Sequence, residues 1–299
     1  METSSVTTET IVPYASLESR LPDLQKQYHS ADPFPHIVLD DFVNTEALEQ
    51  GLKEFPSTRG KGWTHYHHVN ENKFGKTKLD EFPPALRKIV EDLNSDRFVN
   101  FLRALTGYDK LFADESLEGG GLHQIGPGGY LNIHADYQSH PHHKDWRRRV
   151  NVLLYMNKNW QESYNGHLEL WDKKMTNCLK KVLPIFNRAV IFNTSADSFH
   201  GHPSALTCPP GHSRKSIALY YFVKDSEPLL IGTTNYRARP QDGAKKILIQ
   251  LDKGVLVAYD AVKRFFKMDD RLANFFLRFV SASRKKKAAR ERAKRLKRK

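Results

Sequence analysis

The stretch 128–136, Gly-Gly-Tyr-Leu-Asn-Ile-His-Ala-Asp, sets a histidine and a carboxylate two positions apart, His134 and Asp136. Its alternation predicts a strand, and side chains at every second strand position point the same way. Tyr130, Asn132, His134 and Asp136 therefore share one face, with Leu131, Ile133 and Ala135 on the other. An imidazole beside a carboxylate makes two candidate metal ligands, although such a pair alone is as readily an ordinary surface pair. A third donor is on offer in Ser198-Phe199-His200-Gly201-His202-Pro203. His200 and His202 would face the same way on a strand, so periodicity does not choose between them. Two histidines and one carboxylate with the other positions open is the donor set that holds iron(II) while leaving room for an organic co-substrate and dioxygen.

A second pattern lies downstream, in Arg214-Lys215-Ser216-Ile217-Ala218-Leu219-Tyr220-Tyr221-Phe222. As a strand it puts Arg214 and Ser216 on one face with Ala218 and Tyr220. An arginine turned into a barrel would bury a charge at considerable cost unless something pairs with it. A bound dicarboxylate would do so, because a guanidinium grips a carboxylate through two parallel hydrogen bonds. Ser216 could add a neutral donor. The plainer reading is an arginine at the barrel rim.

The elements that must position these residues are mostly short strands. Candidates are 121–125, 130–136, 150–156, 166–171, 189–193, 199–202 and 214–223, with turn residues rather than helices between them, a pattern of sandwiches and double-sheet barrels. Ahead of them, 36–42 reads as a strand. Asn44 caps a helix running to Phe55. The segment 84–93 is a helix with proline at its start, and Ser95 caps another that ends at Gly107 and aligns Phe98, Phe101, Leu102 and Leu105. These helices form a buttress on the sheet. The segment 63–78, with His65, His67 and His68, reads as a solvated or substrate-facing loop. The polar insert 137–149, with His140, His142 and His143, is expected to cover one mouth of the barrel.

The chain has 299 residues, 39% of them hydrophobic and 17 of them Phe, enough for a sizeable core. The expected fold class is mainly β with flanking helices (α+β). The expected divisions are a mobile N-terminal segment 1–30 (with one short helix over 17–28), a main domain 31–225 with its core at about 119–225, a helical extension 226–283, and a basic tail 284–299. Two cysteines, Cys178 and Cys208, argue against a disulfide framework and for a reducing compartment, leaving one bridge between them open. Neither a secretory signal nor a membrane-length apolar run is present, so a cytoplasmic location is expected. The net charge of +13 is unevenly placed: the tail holds eleven Lys or Arg and one Glu, and the other 283 residues carry only about +3. That tail is a candidate contact for a polyanion such as RNA, the ribosome, DNA or an anionic membrane surface; a solvated tail is the bland alternative.

Taken together, these motifs resemble the catalytic core of the iron(II)/2-oxoglutarate-dependent dioxygenases, prolyl 4-hydroxylase-like branch. The resemblance runs from Gly128 to Val223. It is carried by His134-Ala135-Asp136, the runs 152–160, 165–171 and 187–192, the segment at His200 and the Arg214/Ser216 strand, in the family's order. It implies a double-stranded β-helix (jelly roll) in which His134, Asp136 and His200 bind Fe(II), His200 being carried over because the third ligand directly follows the short polar turn after the strand ending in Phe192. It implies that Arg214 binds the distal carboxylate of 2-oxoglutarate with Tyr155 and Ser216 assisting, and that ascorbate serves as a reductant. The activity implied is oxidative decarboxylation of 2-oxoglutarate to succinate coupled to hydroxylation of an unactivated C–H, on a protein residue such as proline or on a small molecule. The intact Asp136 favours hydroxylation over halogenation. Two other readings are a non-catalytic barrel that binds 2-oxoglutarate or iron, and a nucleic-acid-associated oxygenase recruited by the tail. The stretch from His200 to Arg214 is long for this branch, and the flanks 1–115 and 226–299 match nothing in it.

Overall fold

The computed structural model describes residues 10–227, 234–243 and 246–249. Five helices, α1 (Tyr14–Ser19), α2 (Leu21–Ser30), α3 (Thr45–Lys53), α4 (Pro84–Leu93) and α5 (Asp96–Thr106), lie on one side of the sheet. Each begins or ends where its chemistry dictates. The Asn44 side chain accepts from the Ala47 N–H at 2.8 Å and starts α3. Ser95 Oγ accepts from the Phe98 N–H to start α5, and Gly107, with φ +76°, ends it. The single helix expected over 17–28 is in fact two. Pro22 sits in the first turn of α2 and has no N–H with which to continue α1. Within the described part of the N-terminal segment, residues 10–30, Tyr14, Leu17, Leu24 and Tyr28 are buried in the same core as the other helices.

The strands are β1 (His36–Leu39), β2 (Thr64–His68), β3 (Glu71–Lys76), β4 (Phe112–Ala113), β5 (Gly121–Ile125), β6 (Tyr130–Ala135), β7 (Trp146–Tyr155), β8 (Leu168–Trp171), β9 (Cys178–Val182), β10 (Ala189–Asn193), β11 (His200–His202), β12 (Arg214–Lys224) and β13 (Asn235–Tyr236). Their order is β1-β10-β7-β12-β5-β3-β6-β11-β8-β9, with β2 beside β3, β4 beside β12 and β13 beside β6. The pairing is antiparallel throughout, and the sheet curls into a nearly closed, jelly-roll-like barrel with the helices on its flank. Alternation divides each strand between two cores. Val150, Val152 and Leu154 of β7, Ala189 and Ile191 of β10, and Ile217, Leu219 and Tyr221 of β12 pack on the helices. Tyr155, Val190 and Phe192 instead meet Leu168, Leu170 and Val182 across the barrel interior.

Three expectations change. The loop expected over 63–78 is the hairpin β2–β3, and β3 joins the two halves of the sheet by pairing with both β5 and β6. Its polar residues hid it, because the inner face of this strand lines a polar interior rather than a greasy one. The insert 137–149 is not wholly a cover: Trp146 to Arg149 lengthen β7, while His140 is buried and His143 stacks on Trp146 at 4.1 Å. Third, β9 and β13 are strands that the sequence pattern did not announce. Cys178 and Cys208 are free thiols. Of the helical extension expected over 226–283, the described part holds β13, a 3-10 turn at Pro240–Asp242 and helical residues 246–249. The remainder, and the tail 284–299, lie outside the described residues.

One side chain ties the helical layer to the barrel. Asn187 is 1% exposed and has φ +59°. Its Oδ1 accepts from the Val43 N–H at 3.0 Å and its Nδ2 donates to the Val43 carbonyl at 2.7 Å. Asn187→Ala strands both backbone groups and puts a Cβ-bearing residue without local hydrogen bonds in a left-handed conformation. The expected loss of stability is about 2–4 kcal/mol, read as a lower midpoint in urea unfolding.

Candidate active site

The sheet brings three side chains to one point inside the barrel. His200 of β11 stands directly across the ladder from His134 of β6. Asp136 follows immediately after β6. Asp136 Oδ1 lies 3.5 Å from His134 Nε2, and its Oδ2 lies 3.5 Å from His200 Nε2. One ligand atom from each of the three falls within 4.8 Å of the others, and among the described residues this is the one such group of three or more. His134 Nδ1 is 2.8 Å from the Asn132 carbonyl and His200 Nδ1 is 2.9 Å from that of Ser198. A carbonyl only accepts, so each Nδ1 carries the proton and each Nε2 keeps its lone pair for a metal. Burial pushes the His200 pKa down to about 4 against the opposing pull of Asp136, so its ring is neutral and able to ligate near neutral pH.

Asp136 is held charged by partners that the sequence did not reveal. Burial raises its pKa, but the Arg148 guanidinium, with His200 and His134, outweighs burial and keeps the carboxyl well below its usual range. Arg148 Nη2 is 3.1 Å from Asp136 Oδ2, which also accepts from Asn151 Nδ2 at 2.8 Å. Arg148 Nε donates to Asn151 Oδ1 at 2.8 Å, and the guanidinium lies 3.3 Å from the centroid of the Tyr220 ring. Strict alternation from Val150 would turn Arg148 toward the helices. A bulge between β7 and β12, where Tyr221 faces Val150 but Phe222 faces Arg148, reverses the parity and aims Arg148 inward. Arg149 then points out, toward Tyr108.

Arg214 is the second buried cation, 4% exposed. Its Nε donates to the Gly166 carbonyl at 2.9 Å and its Nη2 to Tyr155 Oη at 3.2 Å. Among the described residues no carboxylate pairs with it. Burial lowers its pKa from the usual guanidinium value, partly offset by Tyr155. Ser216, 2% exposed, is the ladder partner of both Tyr155 and His123, so the Arg214, Tyr155 and Ser216 side chains meet on one patch of the inner wall. His202, also buried, does not join the metal group. β6 carries an extra residue opposite β11, so His202 faces Leu131 instead of continuing the His134–His200 row.

Polar residues of β3 and β5 complete the interior. Lys73 Nζ is 3.1 Å from Glu71 Oε2, and His68 Nε2 is 2.9 Å from Glu71 Oε1. Burial and Lys73 push His123 down to about 3. The ring of Tyr236 of β13 lies tilted beside that of His134, centroids 5.4 Å apart. The histidines of the insert stay apart from the metal group; His140 Nε2 lies 3.5 Å from Asp114 Oδ2, under Trp146 and Phe222. His65 stacks on Phe74 at 4.1 Å.

Comparison with known proteins agrees with this architecture. Residues 120–222 match the model of the 2OG-Fe(II) oxygenase superfamily. No curated protein matches the chain. Among solved structures, a prolyl hydroxylase from Trichoplax adhaerens in complex with a hypoxia inducible factor peptide fragment aligns with a TM-score of 0.53 at 18% identity, over 70% of this chain and 91% of that one. A prolyl-4-hydroxylase from Pseudomonas putida aligns less closely, with a TM-score of 0.46 at 15% identity over 69% of this chain and 100% of that one. The fold is thus prolyl 4-hydroxylase-like, and the two imidazoles and one carboxylate are a donor set that could hold a metal ion. Residues 120–222 carry a domain of the 2OG-Fe(II) oxygenase superfamily, which makes the chain an oxygenase enzyme with a prolyl 4-hydroxylase-like fold.

The carboxylate partner supports a direct expectation. Arg148→Met removes the guanidinium that holds Asp136 charged, and partners of metal ligands are commonly worth about 10–100-fold in metal affinity. Competitive chelator titration of a divalent metal should show a loss in that range, with far-ultraviolet circular dichroism unchanged.

Proposed function

We propose that this enzyme hydroxylates an unactivated C–H bond of a protein residue, prolyl among the candidates, or of a small molecule. In this reading His134, Asp136 and His200 hold Fe(II), and Arg214 holds the distal carboxylate of 2-oxoglutarate with Tyr155 and Ser216 assisting. The observation that carries it is the pairing of two features in one barrel: three metal donors converging within 4.8 Å, and a buried arginine without a carboxylate partner among the described residues. Two imidazoles and one carboxylate suit iron(II) and leave positions open. A buried guanidinium flanked by a phenol and a hydroxyl suits a carboxylate.

Once bound, the metal and co-substrate supply the oxidative chemistry, with dioxygen as oxidant, 2-oxoglutarate leaving as succinate and carbon dioxide, and ascorbate as the proposed reductant. The protein's own residues do the rest. The Asn132 and Ser198 carbonyls fix the imidazole tautomers. Arg148 and Asn151 fix the carboxylate. The apolar contacts around Tyr155 and Phe192 exclude water from the co-substrate end. The Lys73–Glu71 pair and His123 give the acceptor side polar walls. The basic tail 284–299 is proposed to keep the enzyme near a polyanion. Its deletion should abolish salt-sensitive binding to nucleic acid and leave turnover of a small substrate analogue intact.

Two measurements bear on the site. Alanine at His134, Asp136 or His200 should each abolish succinate formation from 2-oxoglutarate, assayed with iron(II), ascorbate and oxygen; full turnover in the His200 variant would remove it from the ligand set. Arg214→Ala should raise the 2-oxoglutarate concentration for half-maximal succinate formation about 10–100-fold, the worth of a charged bidentate contact, and Ser216→Ala about five-fold. An unchanged requirement in the Arg214 variant would take the dicarboxylate away from it. A +16 Da product on a candidate substrate, dependent on all three reactants, would identify the acceptor.

A further inference from the structure

His202 has no part in the metal group, yet it is buried in the interior, 3% exposed. Among the described residues neither of its ring nitrogens has a hydrogen-bond partner. Native interiors seldom keep such a group without a reason. Its neighbours suggest one. Arg214, Lys73, His134 and His123 all bear on the ring electrostatically. The strand β11 fixes this placement: His200 stands in the metal row and His202 lies one step further along, where the extra residue of β6 shifts the register. Gly166, whose carbonyl accepts from Arg214 Nε, shares with His202 the lining of a cavity of about 550 Å³. Gly166 has φ +80°, and a Cβ there would come within 2.7 Å of Leu206 and 3.1 Å of Arg214 Cδ, so the glycine lets this wall close around the guanidinium.

Gly166 thus links the His202 imidazole, with which it lines this cavity, to the Arg214 guanidinium and its Tyr155 phenol. We infer that His202 is a binding residue for the co-substrate, its ring N–H donating to the distal carboxylate beside Arg214, so that the site selects a 2-oxo dicarboxylate over a 2-oxo monocarboxylate. This rests on the reading of Arg214 given above. Two positive or neutral donors on one carboxylate let both of its oxygens be satisfied in a dry pocket, and the same contact gives the buried imidazole the partner it otherwise lacks.

The test is anaerobic calorimetric titration of the full chain loaded with iron(II), using 2-oxoglutarate and 2-oxopentanoate, which keeps the keto acid but ends in a methyl group. Relative to wild type, His202→Leu should weaken 2-oxoglutarate about ten-fold and leave 2-oxopentanoate unchanged, whereas His202→Gln, which keeps an N–H, should stay within about three-fold of wild type. Iron(II) affinity by chelator competition should not move in either variant. Without any variant, the imidazole 15N–1H resonance of His202 in zinc(II)-loaded wild type should shift on adding 2-oxoglutarate and not on adding 2-oxopentanoate. Wild-type affinity for 2-oxoglutarate in His202→Leu, equal weakening of both ligands, or an unmoved resonance would overturn the inference and leave the ring as packing. Failure of the wild type to bind 2-oxoglutarate at all would instead remove the Arg214 reading, and this inference with it.

Discussion

Asp136 is an ionised carboxylate inside a barrel, and much of the interior is arranged around keeping it so. Desolvation alone would protonate it and spoil it as a metal ligand. Arg148 reverses that balance, but only because it is itself buried, hydrogen-bonded to Asn151 and stacked under Tyr220. Neither charge would be tolerable there without the other, since removing one partner of a buried ion pair leaves the second uncompensated. The pair therefore binds three strands together: the end of β6, the bulged start of β7 and, through Tyr220, β12.

The interior holds a second buried guanidinium under different terms. Arg148 meets its carboxylate within the protein, whereas Arg214 meets only a carbonyl and a phenol. Two cations in one barrel, one answered internally and one by neutral acceptors, differ in what they can still bind: the first is already paired, and the second would suit an anion. A ligand with a metal-chelating end and a carboxylate end would then fit in one orientation only.

The precision this demands comes from the other face of the same strands. Val150, Val152, Leu154, Ile217, Leu219 and Tyr221 anchor β7 and β12 on α4 and α5, and Asn187 stitches β10 to the α3 side. Because side chains alternate within each regular stretch of strand, fixing the outward residues in a packed layer fixes the inward ones as well. The helices touch none of the chemistry and still hold it in register.

The sequence by itself determined a good part of this. The alternation of 130–136 put His134 and Asp136 on one face, and that of 214–222 put Arg214 and Ser216 on one face, because strand parity is local and needs no partner. The caps at Asn44, Ser95 and Gly107 were legible for the same reason. The sequence left His200 and His202 equivalent, since both obey the same parity. Tertiary pairing separated them, by setting His200 opposite His134 and by a register shift that sets His202 opposite Leu131. The sequence reading left Arg148 in the insert 137–149, and parity counted back from Val150 would put it on the wrong face, because a bulge is a property of two strands and not of one. The polar hairpin β2–β3 read as a loop for a related reason: hydrophobic alternation announces a strand only when its inner face meets an apolar core, and this one faces charges.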